Sequence, residues 1–186
     1  KEEGRNYKDL NLILAHLGGG LSIRVHKKGK MVDIVSDDEG PFSPERSGVL
    51  PSRALMKMCY STDYDTMYKK LKGKGGLVSY LGTNDARQVE AMIGSGDTYA
   101  REVYQAMAYQ IAKGIGELAP VVYGDVDGVI ITGGMAYSEM LTSCIVERVA
   151  YLGKVKIIPG ENELKSLAMG GLRVLKGEEK ANIFEG

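Results

Sequence analysis

At 186 residues the chain is one generous domain or two cramped ones, since domains usually run to about 100–150 residues. Its 24 lysines and arginines balance 24 aspartates and glutamates, which argues against the basic surface that nucleic-acid binders carry. Apolar residues make up 44% of the chain, enough for a sizeable core, yet no run approaches the roughly 18 needed to cross a bilayer.

In chain order, the first expected element is the apolar run 10–16, which ends in Gly18, Gly19 and Gly20. Residues 21–27 and 31–36 alternate apolar and polar, the pattern of half-buried strands, with a tight turn at Lys28-Gly29-Lys30. The short turns predict an antiparallel meander. Segment 36–51, rich in proline, glycine and charge, is a long loop of the kind that is usually functional or disordered. Residues 52–61 and 61–73 read as two short helices, the second capped by Ser61 or Thr62. Residues 73–85 read as a glycine-punctuated turn, with Asn84 or Asp85 capping a helix through Ile93. The clearest helix runs from Asp97 to about Leu118, on the spacing of Val103, Met107, Ile111 and Ile115. A buried strand over 127–134, a helix over 136–153, a strand over 154–160 and a helix from Asn162 to Lys176 complete the chain. This order predicts an α/β fold, a mixed five-stranded sheet flanked by helices, with residues 52–120 as a helical insertion beside it.

Lys1–Leu10 lacks the apolar stretch of a secretory signal. Cys59 and Cys144 form no CxxC pair, which disfavours a disulfide scaffold or a zinc site and fits a reducing cytosol. The chain enters a strand almost at once after Lys1, so it reads as a piece of something longer.

Four features could carry chemistry. His16-Leu17-Gly18-Gly19-Gly20 is either a plain hairpin turn or a backbone cradle for an anion. Thr132-Gly133-Gly134 follows a strand, where α/β sheets gather ligands; it serves either a nucleoside or phosphate, or close strand–helix packing. Neither turn matches the P-loop or the dinucleotide-binding pattern. Arg46 in the long loop either grips phosphate or carboxylate or pairs with Asp38, Glu39 or Glu45. Glu161 and Glu163 either cap a helix or serve Mg²⁺. His26 reads as a solvated surface residue, and Tyr68, Tyr104, Tyr109 and Tyr151 as helix packing.

Taken together, the segments 10–30, 39–48 (EGPFSPERSG), 72–90, 106–120, 131–138 and 157–164 resemble the acetate and butyrate kinase family, over nearly the whole chain and in order. The resemblance implies the ribonuclease H-like fold of actin-type ATPases, here the second, nucleotide-binding domain of a two-domain carboxylate kinase whose first domain is absent from this chain. It implies reversible transfer of the ATP γ-phosphoryl group to a short-chain carboxylate, butyrate being favoured, with ATP/ADP and Mg²⁺ as cofactors and a homo-oligomeric protein, without nucleic-acid or membrane partners. His16 to Gly20 would correspond to the phosphate turn, and Arg46 to the active-site arginine. Asp85 and Arg87 would sit in the adenosine pocket opposite Gly133, Gly134, Met135 and Ser138. Glu163, or else Glu161, would correspond to the magnesium-associated glutamate. Val49 stands where the family tends to have another glycine. The competing readings are a non-catalytic nucleotide-binding module, an acetate, propionate or branched-chain acid kinase, and an Hsp70-like or sugar-kinase ATPase.

Overall fold

The computed structural model describes residues 4–161 and 163–181, apart from the side chain of Glu163. Three strands, β1 (Asn11–Leu17), β2 (Leu21–Lys27) and β3 (Lys30–Val35), form the expected meander. β4 (Gly128–Gly133) and β5 (Lys154–Pro159) add on β1's other side, giving one five-stranded sheet in the order β3-β2-β1-β4-β5. β1 runs antiparallel to β2 and parallel to β4, and β4 runs parallel to β5. A strand's side chains alternate between its two faces, so β1 buries Ile13, Ala15 and Leu17 on one face and leaves Leu12, Leu14 and His16 half-buried on the other.

The buried face packs against α5 (Thr98–Glu117) and α6 (Glu139–Val149) through Met107, Ile111, Ile115, Leu141 and Ile145. α5 is thus a core helix, and α1 (Ser52–Cys59), α2 (Tyr64–Leu71), α3 (Gly76–Leu81) and α4 (Ala86–Gly94) precede it. Asp97 caps α5, its carboxylate accepting from the Ala100 N–H at 2.9 Å. Asp97→Ala is expected to cost about 1 kcal/mol of stability, the usual worth of such a cap, read as a lowered midpoint in urea unfolding.

Elsewhere the structure departs from the pattern-based reading. The segment read as a turn contains α3. α2 is capped by Asp63, whose carboxylate accepts from the Thr66 N–H, rather than by Ser61 or Thr62. The helix expected over 136–153 divides at Ser138, with one 3₁₀ turn before it (Gly134–Tyr137) and another after α6 (Ala150–Leu152). α7 (Glu163–Leu175) closes the described chain. His26 is tied to the Tyr7 hydroxyl through Nδ1; burial, then the charge of Arg24, holds its imidazole below the ordinary range. Of the tyrosines expected to pack, Tyr104 is buried, whereas Tyr68, Tyr109 and Tyr151 are exposed. Both cysteines are free thiols. Among the described residues no helix is long and apolar enough to cross a membrane.

Candidate functional site

The parallel neighbours β1 and β4 end side by side, His16 opposite Thr132, so the two glycine turns that follow them converge. Gly133 makes this possible. Its φ is +98°, and a Cβ there would lie 2.3 Å from the Leu17 carbonyl oxygen, so the turn after β4 can press against the end of β1 only without a side chain. In the first turn, the Gly18 N–H donates to Gly20 O at 3.2 Å. The Gly19 carbonyl is anchored from the long loop by Ser43 Oγ at 2.7 Å and the Glu45 N–H at 3.3 Å. Among the described residues the N–H groups of Gly19 and Gly20 donate to no partner, which leaves two backbone donors for an anion.

Both turns open on one hollow of about 650 Å³. Gly18, Gly19, Gly134, Met135, Ser138, Asp85, Arg87 and Glu161, all expected from sequence, line it together with Pro44, Glu45, Asn84, Ala86, Glu90 and Tyr137. It lies at the C-terminal ends of β1 and β4, where ligands of α/β sheets bind. A second hollow, bordered by Leu12, Gly128 and Lys154, lies at the strands' opposite ends.

Of the other expected residues, Gly133 lies at the seam with Leu17 and does not border the hollow, and three more stand just behind the wall. His16 sits under the first turn, its Nε2 3.5 Å from the position a Gly18 Cβ would take. Gly20 does not itself border the hollow, and a Cβ there would lie 3.2 Å from Asp37 Oδ2. Arg46, its side chain 18% exposed, is held by Asp37 (Nε–Oδ2 3.3 Å) and by Glu45 (Nη1–Oε2 3.7 Å). Of the pairings expected for Arg46, Glu45 is present. Asp38 instead lies 3.9 Å from Lys72 Nζ, and Glu39 accepts from Ser36 Oγ. Asp37 supplies the second carboxylate because it flanks Gly20 at the mouth of the loop.

On the opposite rim Asp85 caps α4 and grips Arg87 through three N–O contacts, the shortest 2.6 Å. The Arg87 side chain, then its backbone N–H, holds the Asp85 carboxyl below the usual carboxylate range. Asn84 donates to Glu45 Oε1 at 2.6 Å and so joins this rim to the long loop. Glu161 stands between the turns, its Oε1 3.6 Å from the Cβ position of Gly18 and 3.9 Å from that of Gly134. Glu163 opens α7, and its side chain lies outside the described residues, as does Asn162. Among the described residues no three His, Cys, Asp or Glu side chains gather into a metal cage. Glu161 offers a carboxylate between the two turns, a ligand type that Mg²⁺ takes when phosphate oxygens and water complete its shell.

Sequence reasoning passed over Glu90, although it stands one helical turn beyond Ala86 and Arg87 and so shares their face. Glu90 Oε1 accepts from the Ser138 hydroxyl and, at 3.2 Å, from the Tyr104 hydroxyl. Burial pushes the Tyr104 phenol up.

Comparison with known proteins adds the following. A family model described as the acetokinase family matches residues 1–180. The acetate kinase of Porphyromonas gingivalis superposes with a TM-score of 0.81 at 22% identity, covering 92% of this chain and 51% of that one. The acetate kinase of Entamoeba histolytica superposes with a TM-score of 0.82 at 19% identity, over 92% of this chain and 54% of that one. A propionate kinase from Francisella tularensis superposes with a TM-score of 0.73 at 22% identity, over 83% and 47%. The chain spans about half the length of these structures. Its fold is the actin-type ATPase core that the resemblance implied.

Proposed function

Because the chain belongs to the acetokinase family, we propose that it is the nucleotide-binding half of a carboxylate kinase, which transfers the γ-phosphoryl group of ATP to a short-chain acid to give an acyl phosphate and ADP. The convergence of the two glycine turns on one hollow at the ends of β1 and β4 carries this reading. The polyphosphate lies against Gly18–Gly20, where backbone donors stand open, with His16 backing the turn. The nucleoside lies between Asp85 and Arg87 on one wall and Gly133, Gly134 and Met135 on the other. Mg²⁺, held by Glu161 or Glu163, neutralises phosphate charge when bound. Arg46 waits beside the turn for the transferring phosphoryl group. Phosphoryl transfer asks mainly for positioning and positive charge around a loose transition state, and these are the groups present.

Two observations support the assignment to half of a protein. The chain spans about half of the solved structures it resembles. α7 also exposes Leu164, Leu167, Leu172 and Leu175, apolar surface that a first domain would cover. That domain would bring most of the acyl-group pocket and the remaining catalytic groups, in an oligomeric kinase. We take the acid to be butyrate on the combined resemblance of segments 10–30, 39–48, 72–90, 106–120, 131–138 and 157–164.

Calorimetric titration with Mg·ADP is expected to show one nucleotide per chain, and the absence of binding would end the nucleotide reading. Hydroxamate trapping of the acyl phosphate, with a protein carrying both halves, then tests the acid. Butyrate is expected to give the highest kcat/KM; a higher value for acetate or propionate would replace it as the preferred acid.

A further inference from the structure

Resting on the nucleotide-binding reading above, we propose that Glu90 determines nucleoside specificity, its Oε2 accepting a hydrogen bond from a donor on the nucleoside, either a ribose hydroxyl or the exocyclic amine of the base.

The inference starts from Ser138. A serine hydroxyl has one hydrogen and two lone pairs. Ser138 gives its hydrogen to Glu90 Oε1, accepts from the Leu141 N–H at 2.9 Å, and shares the single Tyr104 hydroxyl hydrogen, 3.1 Å away, with Glu90. Its own hydrogen is committed, so it has none to give a ligand, although it lines the hollow. Ser138 is therefore a positioning residue, the cap of α6 and the anchor of Glu90. Tyr104 is 2% exposed, and its hydroxyl is shared between Glu90 and Ser138. Pulling either hydroxyl away would strand a buried polar group.

Glu90 is different. Both hydroxyls converge on Oε1, and among the described residues no hydrogen bond or ion pair engages Oε2. Glu90 lines the hollow, and a carboxylate fixed through one oxygen leaves its other oxygen few places to go. Being acceptor-only, that oxygen rewards a donor and disfavours a carbonyl facing it. Glu90 shares a wall with Asp85 and Arg87 and stands beside the Ser138 anchor, within the part of the hollow assigned to the nucleoside.

Glu90→Gln isolates the effect. The carboxamide keeps an acceptor oxygen for Ser138 and Tyr104 and puts an NH₂ group where Oε2 stood. Calorimetry with ADP, 2′-deoxy-ADP, 3′-deoxy-ADP and IDP, on wild type and on the variant, reads the result. IDP presents a carbonyl where ADP presents an amine. Wild type is expected to prefer ADP over one analogue by about tenfold or more, the scale on which a site built for a hydrogen bond rejects a ligand lacking it. Glu90→Gln is expected to weaken ADP about tenfold, to cut that preference to within about twofold, and to leave Tm unchanged. The analogue that loses its disadvantage identifies the donor: a deoxy-ADP marks the ribose, IDP the amine. A variant that keeps the wild-type preference overturns the proposal, and so does a wild type that binds all the nucleotides equally. A wild type that binds none of them overturns the functional reading and this inference with it.

Discussion

Arg46→Ala, in a protein carrying both halves, is expected to lower kcat for acyl phosphate formation at least about 10²-fold, the scale for removing one transition-state charge contact, while the KM for ATP stays within about threefold. The split follows from where the guanidinium stands. Arg46 does not border the hollow, so it adds little to ground-state binding. It lies behind the glycine turn, gripped by Asp37 next to Gly20 and by Glu45 next to Gly19. Only interactions that strengthen in the transition state raise kcat, and a guanidinium beside the turn proposed to cradle the γ-phosphate would be of that kind. Arg46→Lys should recover little, because an ammonium lacks the planar fork of donors. The opposing view is that Arg46 only ties the loop down. Partly exposed pairs of this sort are worth no more than about 1 kcal/mol, so on that view alanine would lower Tm slightly and leave kcat untouched. Hydroxamate assays with and without saturating ATP decide between the two, and an unchanged kcat would reduce Arg46 to a loop tie.

The elements that sequence reading located were those whose signal is local. β1 shows as a continuous apolar run and β2 and β3 by their alternation, Asp85 and Asp97 sit as caps in front of periodic runs, and α5 carries its apolar stripe over 20 residues. α3 escaped because Gly73, Gly75 and Gly76 read as breakers. The short helix instead starts on contacts from the long loop, with the Leu77 N–H donating to Ser43 O and the Val78 N–H to Pro44 O. Gly76, at φ +56°, has no room for a side chain beside the Ser43 carbonyl, a constraint set by a segment more than thirty positions away. The site divides along the same line. Glycine turns after strands were legible, since backbone approach needs glycine wherever it occurs. Glu90 and Asp37 were not, because their importance lies in which other elements fold against them, and Glu45 was legible only as a partner for Arg46. Ser138, expected from sequence on the nucleoside side, lines the hollow, but its contacts with Glu90, Tyr104 and Leu141 are visible only once α4, α5 and α6 meet.

The second large effect is expected at Gly133. Gly133→Ala should lose about 3 kcal/mol, a strained backbone and an overpacked contact together, and lower Tm by about 10 °C for a domain of this size. The argument is steric. An added Cβ would meet Leu17 O at 2.3 Å and Leu17 N and C at 2.7 Å, all backbone atoms of the strand that carries the phosphate turn, and φ of +98° is itself costly for alanine. Gly133 O also accepts from the Gly160 N–H at 3.0 Å, so the residue cannot move away without pulling the segment that leads to Glu161. Relief must come from parting the ends of β1 and β4, which separates the two turns, and Mg·ADP affinity should fall with stability, by about tenfold or more. Gly134→Ala is the matched control. Its Cβ would find only Glu161 Oε1, at 3.9 Å, and its melting temperature should stay close to that of wild type. Thermal melts and calorimetry on the pair separate a general intolerance of alanine from the specific seam. If Gly133→Ala melts with wild type and binds Mg·ADP as tightly, the close approach of the two strand ends is not what shapes the hollow, and the pairing of the two turns into one nucleotide site fails.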